Sequence, residues 1–203
     1  MLKFKFFVDM EQEEEYLNAM AKKGYMLKKY NSSGFYSFIK GTPQDLYYKI
    51  DYRVFNKKSD FENYKMLFQD AGWIHVFGTK YSGGQYFLPA KGSNNHEIFS
   101  DIESRAARYT RLINQCLMWL CFSLVYSISI LLINDFSFSN VGYLTPGLWD
   151  RTGASFWLGL LFETPFVLLR ILPFILMVSL TVLYGYLAVK AKKIYKKVVN
   201  DSN

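Results

Sequence analysis

Two long apolar runs in the second half dominate the hydrophobic pattern of this chain. Charged residues are frequent up to Arg111 and scarce between Leu112 and Val189. The run from Leu112 to Ile133 is long enough to cross a hydrocarbon core of roughly 30 Å as a helix that rises about 1.5 Å per residue. The pattern therefore predicts one soluble domain followed by a membrane-spanning hairpin.

The second apolar run is too long for one untilted span. Thr164 followed by Pro165 is typical of a helix start, with an N-cap and then a proline at the first helical position. We therefore predict a second span over about residues 165–189. An interfacial or re-entrant segment at 154–163 is expected to precede it.

Glu163 and Arg170 interrupt this second run. An ionisable side chain beside lipid is costly and often marks a functional site, so the two residues are a candidate intramembrane polar pair. Both lie near the outer end of the predicted span, where long side chains can reach the headgroups. Mutual pairing or anchoring at the interface is therefore the alternative interpretation.

The first 92 residues contain two similar segments, offset by about forty-eight residues. Gly24 aligns with Gly72, and a slip of two residues in the following turn aligns Gly34 with Gly84. Each copy has the pattern of a strand, a helix and a hairpin, and one such unit needs a second to close its core. We predict an α+β protein with an internally duplicated βαββ, ferredoxin-like cytoplasmic domain, followed by an all-α two-helix transmembrane hairpin.

Both predicted helices, at residues 10–23 and 59–71, have start signals. Asp9 is the expected N-cap of the first helix, and Ser59 with Glu62 has the spacing of a capping box in the second. The stretch "DMEQEEE" that begins at Asp9 is interpreted as a solvated helix start matched to the helix dipole rather than as a metal site. A basic juxtamembrane helix or linker is predicted at 93–111.

Alternation along "LYYKIDYRVF" predicts a strand with two different faces. One face carries Tyr48 and Ile50, and the other is expected to point away from the helices. That outward face, extended by the first strand, is the candidate ligand or partner surface, formed by Lys3, Lys5, Tyr47, Lys49, Asp51 and Arg53. The alternative is an ordinary solvated face on which Asp51 pairs with a nearby cation.

The formal net charge of +7 is concentrated around the apolar runs. The flanking bases are Arg105, Arg108 and Arg111 before the first run, and Lys190, Lys192, Lys193, Lys196 and Lys197 in the basic tail, residues 190–203. The loop at 134–153 has one arginine and two aspartates. The positive-inside rule therefore predicts a multi-pass protein of the cell membrane with both termini in the cytoplasm, and the basic flanks predict attraction to anionic headgroups of the inner leaflet.

Catalytic and metal-binding motifs are missing from the sequence. His75 and His96 are the two histidines, and no HExxH, CxxC or GxSxG motif is present. We therefore predict no enzyme, no catalytic or metal-ligating residue and no cofactor. Nucleic-acid binding is not expected either, because acids nearly balance bases up to Ser100.

Three segments carry a resemblance to a known family: "FKFFVDMEQEEEYLNAMAKKGYML", "YYKIDYRVFNKKSDFENYKMLFQDAGW" and "GGQYF". They resemble the hallmark segments of the domain-of-unknown-function family 2812. The resemblance implies a membrane protein of Gram-positive bacteria that joins this domain to a few transmembrane helices and is often encoded beside PadR-like repressors. It also implies regulated expression, under envelope or drug stress, and it supplies no catalytic residues.

Two hypotheses about function follow. The first is a membrane-anchored regulatory or adaptor protein whose cytoplasmic domain binds a small ligand, another protein or a second copy of the chain. The alternative is a membrane-embedded resistance, immunity or transport-accessory factor that acts through the hairpin, with Glu163 and Arg170 as its polar residues.

Overall fold

The structure is a computed structural model, and it describes residues 1–92, 96–133 and 142–200. The chain divides into two compact units. The first comprises Met1–Asn114 and Ala188–Asn203, and the second comprises Gln115–Leu187. Each unit is described by itself.

In its described residues, the first unit contains six strands, two complete helices and the ends of two longer ones. In chain order the elements are β1 (Leu2–Phe4), α1 (Met10–Lys22), β2 (Tyr25–Asn31), β3 (Phe35–Lys40), β4 (Lys49–Tyr52), α2 (Lys58–Asp70), β5 (Trp73–Phe77) and β6 (Gly84–Pro89). The strands form two antiparallel sheets of three strands, ordered β1-β3-β2 and β4-β6-β5. The predicted α+β class is confirmed, and both halves have the same element order and the same strand order.

The hairpin turns of the two halves are offset differently from the prediction. The backbone N–H of Lys5 donates to the carbonyl oxygen of Gly34, and that of Arg53 donates to the carbonyl oxygen of Gly83, each at 2.8 Å. Gly34 and Gly83 both have left-handed backbone angles, with φ of 90° and 74°. The glycine of the second half that accepts the matching hydrogen bond is thus Gly83, one residue before the Gly84 that was predicted to align with Gly34.

One of the two predicted helix starts is correct. The Asp9 carboxylate accepts the backbone N–H of Glu11 at 3.0 Å and caps α1. The capping box predicted from Ser59 and Glu62 is wrong, because α2 begins one residue earlier and Lys57 stands at the cap without a side-chain hydrogen bond. Ser59 is already inside the helix.

Both faces of the second sheet are covered. Neighbouring residues of β6 face different clusters: Tyr86 packs with Leu17 of α1 and Tyr36 of β3, whereas Phe87 packs with Tyr64 of α2. Because side chains alternate along a strand, α1 lies toward one face and α2 toward the other. The expectation of a face that points away from the helices is therefore wrong for this sheet.

Helix α3 (Ile102–Ile133) joins two segments that were expected to be separate. Its first three turns belong to the predicted basic linker at 93–111, and the rest is the predicted first span. Residues 93–95 of that linker, and residues 134–141 of the predicted loop, lie outside the described residues.

Helix α4 (Ala154–Asn200) likewise includes the predicted interfacial segment, the second span and most of the basic tail. The helix start predicted at Thr164 is wrong, because Pro165 lies inside the continuous helix. The Thr164 hydroxyl donates to the carbonyl oxygen of Leu160, four residues earlier in the same helix, at 2.6 Å. Residues 201–203 of the tail lie outside the described residues.

Helices α3 and α4 are each long and apolar enough to cross a membrane, by length and composition. Within the second unit the Thr181 hydroxyl donates to the Ser123 hydroxyl at 2.9 Å, so a polar contact joins the two helices there. Most large apolar side chains of this unit are exposed, which suits helices surrounded by lipid.

Candidate functional site

The first turns of α3 present three arginines to the carboxylates of the first unit. Their spacing of three residues places Arg105, Arg108 and Arg111 near one another along the helix. Their partners lie on α1 and β4. We call the whole set the arginine cluster: Glu11, Glu14, Asp51, Arg105, Arg108 and Arg111.

Arg108 is the buried centre of the arginine cluster, with 2% of its side chain exposed. Its Nη1 atom lies 2.7 Å from Oε1 of Glu14 and also donates to the carbonyl oxygen of Ile50 at 2.8 Å. Its Nη2 atom lies 3.2 Å from Oε1 of Glu11. Burial disfavours the charged guanidinium, but the Glu14 carboxylate raises the pKa of Arg108 above its ordinary value.

The two outer arginines extend the contact to both sides. Arg105 pairs with Glu11, with 2.7 Å between Nη2 and Oε1. Arg111 pairs with Asp51 and donates from Nε to the carbonyl oxygen of Tyr52 at 2.6 Å. Through these contacts α3 is bound to the acidic helix α1 and to β4.

Asp51 also connects the arginine cluster to α2. Its Oδ2 atom accepts the hydroxyl of Tyr64 at 2.8 Å, and its other oxygen pairs with Arg111. A buried carboxylate between a cation and a hydroxyl is a fully paired group, which is the arrangement that buried charges need. The contact between α3 and the sheet therefore involves both helices of the domain.

A second buried carboxylate lies between the two sheets. Oε1 of Glu13 accepts the hydroxyls of Tyr36 on β3 and Tyr86 on β6, each at 2.6 Å. Burial raises the pKa of Glu13 to about 7, although the two tyrosine hydrogen bonds act in the opposite direction. The expectation that the acidic start of α1 is solvated is wrong for Glu13 and Glu14, because packing from both sheets and from α3 covers them.

The residues of the predicted partner surface do not form one outward face. Lys3 and Lys5 belong to or follow β1, which pairs with β3, whereas β4 pairs with β6 in the other sheet. Asp51 is buried, as described. Lys49 is half-buried and pairs with Glu14 at 3.4 Å and with Glu97 at 2.9 Å.

The remaining two residues of that predicted surface contact aromatic rings. Tyr47 is exposed, and its ring centroid lies 4.1 Å from that of His96. The guanidinium of Arg53 lies 5.6 Å from the centroid of Phe55 and 5.7 Å from that of Tyr64. Arg53 therefore covers the smaller aromatic cluster around α2.

Glu163 and Arg170 are close together in the second unit. Oε2 of Glu163 accepts the backbone N–H of Thr145 at 2.9 Å, and the carboxylate also accepts the N–H of Leu144. Nη1 of Arg170 lies 3.9 Å from Oε1 of Glu163 and donates to the carbonyl oxygen of Gly142 at 3.1 Å. Both side chains hold the backbone of residues 142–145 against α4.

A metal ion and a larger ligand make different demands on the described residues. Within residues 1–92, 96–133 and 142–200, no group of three or more His, Cys, Asp or Glu side chains is arranged to hold a metal ion. A groove of about 630 Å³ lies in the first unit, lined chiefly by Ile102, Ala106, Thr110 and Tyr195. The charges of the arginine cluster pair with one another, so the cluster is suited to fixing the position of α3.

The arginine cluster was not predicted from the sequence, because three arginines before an apolar run are also what membrane topology requires. The helical spacing of Glu11 with Glu14, matched by that of Arg105 with Arg108, was the available signal. Two amphipathic helices with complementary charges at that spacing indicate facing helix surfaces. Nothing local indicates that Tyr36 and Tyr86 meet at Glu13.

Comparison with known proteins gives one match. The model of a family described as "Protein of unknown function (DUF2812)" matches residues 9–122, which is more than half of the chain. The matched range begins at the N-cap of α1 and ends within α3, so it includes every residue of the arginine cluster. Neither the curated proteins nor the solved structures gave a match.

Proposed function

Because the chain belongs to the DUF2812 family of proteins of unknown function, we propose its role from its own geometry. It is a membrane-anchored regulatory or adaptor protein without catalytic activity. Helices α3 and α4 cross the cell membrane, both termini are cytoplasmic, and the α+β domain binds another protein or a small ligand. Anionic lipids, rather than nucleic acid, are the further partners of its basic residues.

The observation that carries this proposal is the continuity of α3. One end of this helix carries the three arginines of the arginine cluster, and the rest is an apolar segment of membrane-spanning length. An exposed ion pair such as Arg105 with Glu11 contributes at most about 1 kcal/mol. Removing one partner of a buried pair such as Arg108 with Glu14 costs roughly 3–5 kcal/mol, because the other charge is then buried without that partner.

The end of α4 supports the same proposal. Ile194, Tyr195 and Val198 pack against the core cluster that contains Leu17 and Tyr36. The predicted basic tail is thus a helical segment with an apolar side inside the domain. A ligand that shifts α1 would therefore act on both apolar helices, which is what a regulatory protein of this design requires.

The repeated architecture suggests how the domain arose. We propose that its two halves are copies of one βαββ unit with a ferredoxin-like arrangement. The common strand order and the matching hydrogen bonds at Gly34 and Gly83 support this. The halves have diverged most on their helices, since α1 buries Glu13 and Glu14 where α2 buries Phe61.

The experiment fixes α3 to α1 chemically. Glu11→Cys and Arg105→Cys, in a full chain without Cys116 and Cys121, are bridged by a short bis-maleimide in native membranes. The same variant capped with N-ethylmaleimide is the control. If the chain is a regulator, bridging changes the set of proteins recovered with it by quantitative affinity purification. Identical sets for the bridged and capped chains would contradict the proposal.

A resistance, immunity or transport-accessory role within the membrane is the second candidate. The pairing of the buried Glu163 with the exposed Arg170 inside an apolar segment favours it. It predicts that Glu163→Gln abolishes function while bridging of α3 to α1 has no effect. The regulatory proposal predicts that Glu163→Gln leaves function intact and that bridging of α3 to α1 changes it.

A further inference from the structure

The first sheet has an exposed apolar side. Leu2 lies opposite Ser37, Phe4 opposite Phe35, and Met26 opposite Ile39, so these six residues share one side of the sheet, which we call the outer face. Tyr36 and Phe38 alternate with them and are buried in the core. Leu2 is 66% exposed and Phe4 is 65% exposed.

The outer face is too apolar to be an ordinary solvated surface. Phe35 and Ile39 are also exposed, and the ring centroids of Phe4 and Phe35 are 5.1 Å apart. Contiguous exposed apolar side chains of this kind mark an interaction site with a protein or a membrane. Part of this surface must therefore be covered when the protein functions.

The charges around the outer face are all of one sign. The strands of this sheet and the residues next to them, 1–8 and 25–41, contain no Asp or Glu. They contain five exposed lysines: Lys3, Lys5, Lys28, Lys29 and Lys40. Lys29 lies opposite Ser37 on the outer face, and Lys28 lies at the irregularity beside it, whereas Lys3 and Lys40 alternate with outer-face residues and lie at its margins. Exposed apolar side chains with lysines on and beside them, and no acid in the same segments, have the composition of surfaces that lie in the headgroup layer of an anionic bilayer.

We propose that the outer face docks on the anionic headgroup layer of the membrane. A second copy of the chain is a poorer occupant, because two outer faces would bring the like-charged Lys28 and Lys29 of both copies together. An anionic lipid surface neutralises the same lysines and accepts the apolar side chains. The inference rests on the proposed membrane anchoring, which would hold the domain close to such a surface.

The test uses the full chain in lipid nanodiscs. Ser37→Cys, in a chain with Cys116→Ala and Cys121→Ala, carries an environment-sensitive NBD fluorophore at the centre of the outer face. Ser59→Cys, on the exposed side of α2, is the matched control position. The discs contain either phosphatidylcholine alone or equal parts of phosphatidylcholine and phosphatidylglycerol.

Docking predicts that the fluorophore at residue 37 becomes brighter and is quenched by spin-labelled lipid in the anionic discs. High salt should reverse both effects, and the label at residue 59 should show neither. Lys29→Glu should lower the ratio of docked to free domain by roughly fivefold or more. Leu2→Ser should also lower it, and this exposed position is outside the core.

Three results would overturn the inference. Equal signals at residues 37 and 59 in discs that contain the protein would refute docking and leave the anchoring intact. A signal found only in discs with two copies of the chain would assign the outer face to self-association. Failure of the protein to enter discs at all would refute the anchoring and the docking together.

Discussion

Replacement of Glu13 by glutamine tests whether a buried carboxylate between the sheets limits stability. Glu13 accepts two tyrosine hydroxyls through one oxygen, and a glutamine carbonyl can accept both in the same place. The substitution therefore removes the charge while it keeps these two hydrogen bonds. In the folded protein, ionised Glu13 is less favourable than protonated Glu13, because burial raises the pKa of its carboxyl to about 7.

The expected magnitude follows from that shift. Raising the pKa from 4.5 to about 7 costs the ionised carboxylate about 3 kcal/mol in the folded state. The folded protein binds the proton more tightly than the unfolded chain, so the contribution of Glu13 to stability is full below pH 4.5. It decreases as the pH rises and is lost above about pH 7.

The assay is urea unfolding of the full chain in detergent micelles, followed by the fluorescence of Trp73, which is buried beside α2. The exposed Trp119, Trp149 and Trp157 are replaced by phenylalanine. Glu13→Gln should match the parent near pH 4.5 and be more stable by up to about 3 kcal/mol near pH 8. Glu15→Gln, an exposed position on the same helix, is the control and should change little.

A constant difference between Glu13→Gln and the parent across this pH range would refute the reasoning. It would mean that Glu13 has the same pKa in the folded and unfolded states. A difference that grew toward low pH would show that the carboxylate is stabilised, rather than penalised, by its surroundings.

Two further predictions use the same unfolding assay. Arg108→Met should destabilise the domain by roughly 3–5 kcal/mol, because it removes the 2.7 Å pairing of the buried Glu14 and leaves it only the longer 3.4 Å pairing with Lys49. Arg105→Met, at a 44% exposed position, should cost at most about 1 kcal/mol, and equal losses would contradict the assigned burial. Gly34→Ala and Gly92→Ala should each cost about 1–2 kcal/mol for a left-handed backbone. Gly34→Ala should cost more, because its Cβ would lie 2.7 Å from the carbonyl oxygen of Lys5, whereas no atom of the described residues lies within 4 Å of a Cβ at Gly92. Equal values for the two glycines would contradict the close approach in the hairpin.

The parts of the fold that were predictable from the sequence are those with local signals. Asp9 caps the helix that follows it, and the apolar runs are long enough to identify α3 and the centre of α4. The continuity of α4 was not predictable in this way. Thr164 with Pro165 has the local pattern of a helix start, but a proline is also tolerated inside an apolar helix, and here the Thr164 hydroxyl bonds back to the carbonyl oxygen of Leu160 in the preceding turn.

The arginine cluster depends on contacts between distant parts of the chain. Arg108 and Glu14 are 94 residues apart, and a basic residue before an apolar run satisfies the positive-inside rule equally well when it is buried. The burial of Glu13 also depends on distant parts of the chain, since its carboxylate is covered by tyrosines from both sheets. The alternation of residues along β4 correctly placed Ile50 and Asp51 on opposite sides of the strand. It could not show that the side with Asp51 is covered by α2.

The central claim is that α3 and α4 cross the membrane with the domain in the cytoplasm, and cysteine labelling tests it most directly. Single cysteines at Ser139 and Ser202, both outside the described residues, are placed in a chain without Cys116 and Cys121. On intact cells an impermeant maleimide should label Ser139→Cys, and it should label Ser202→Cys only after permeabilisation. Labelling of Ser202→Cys but not of Ser139→Cys on intact cells would contradict the account.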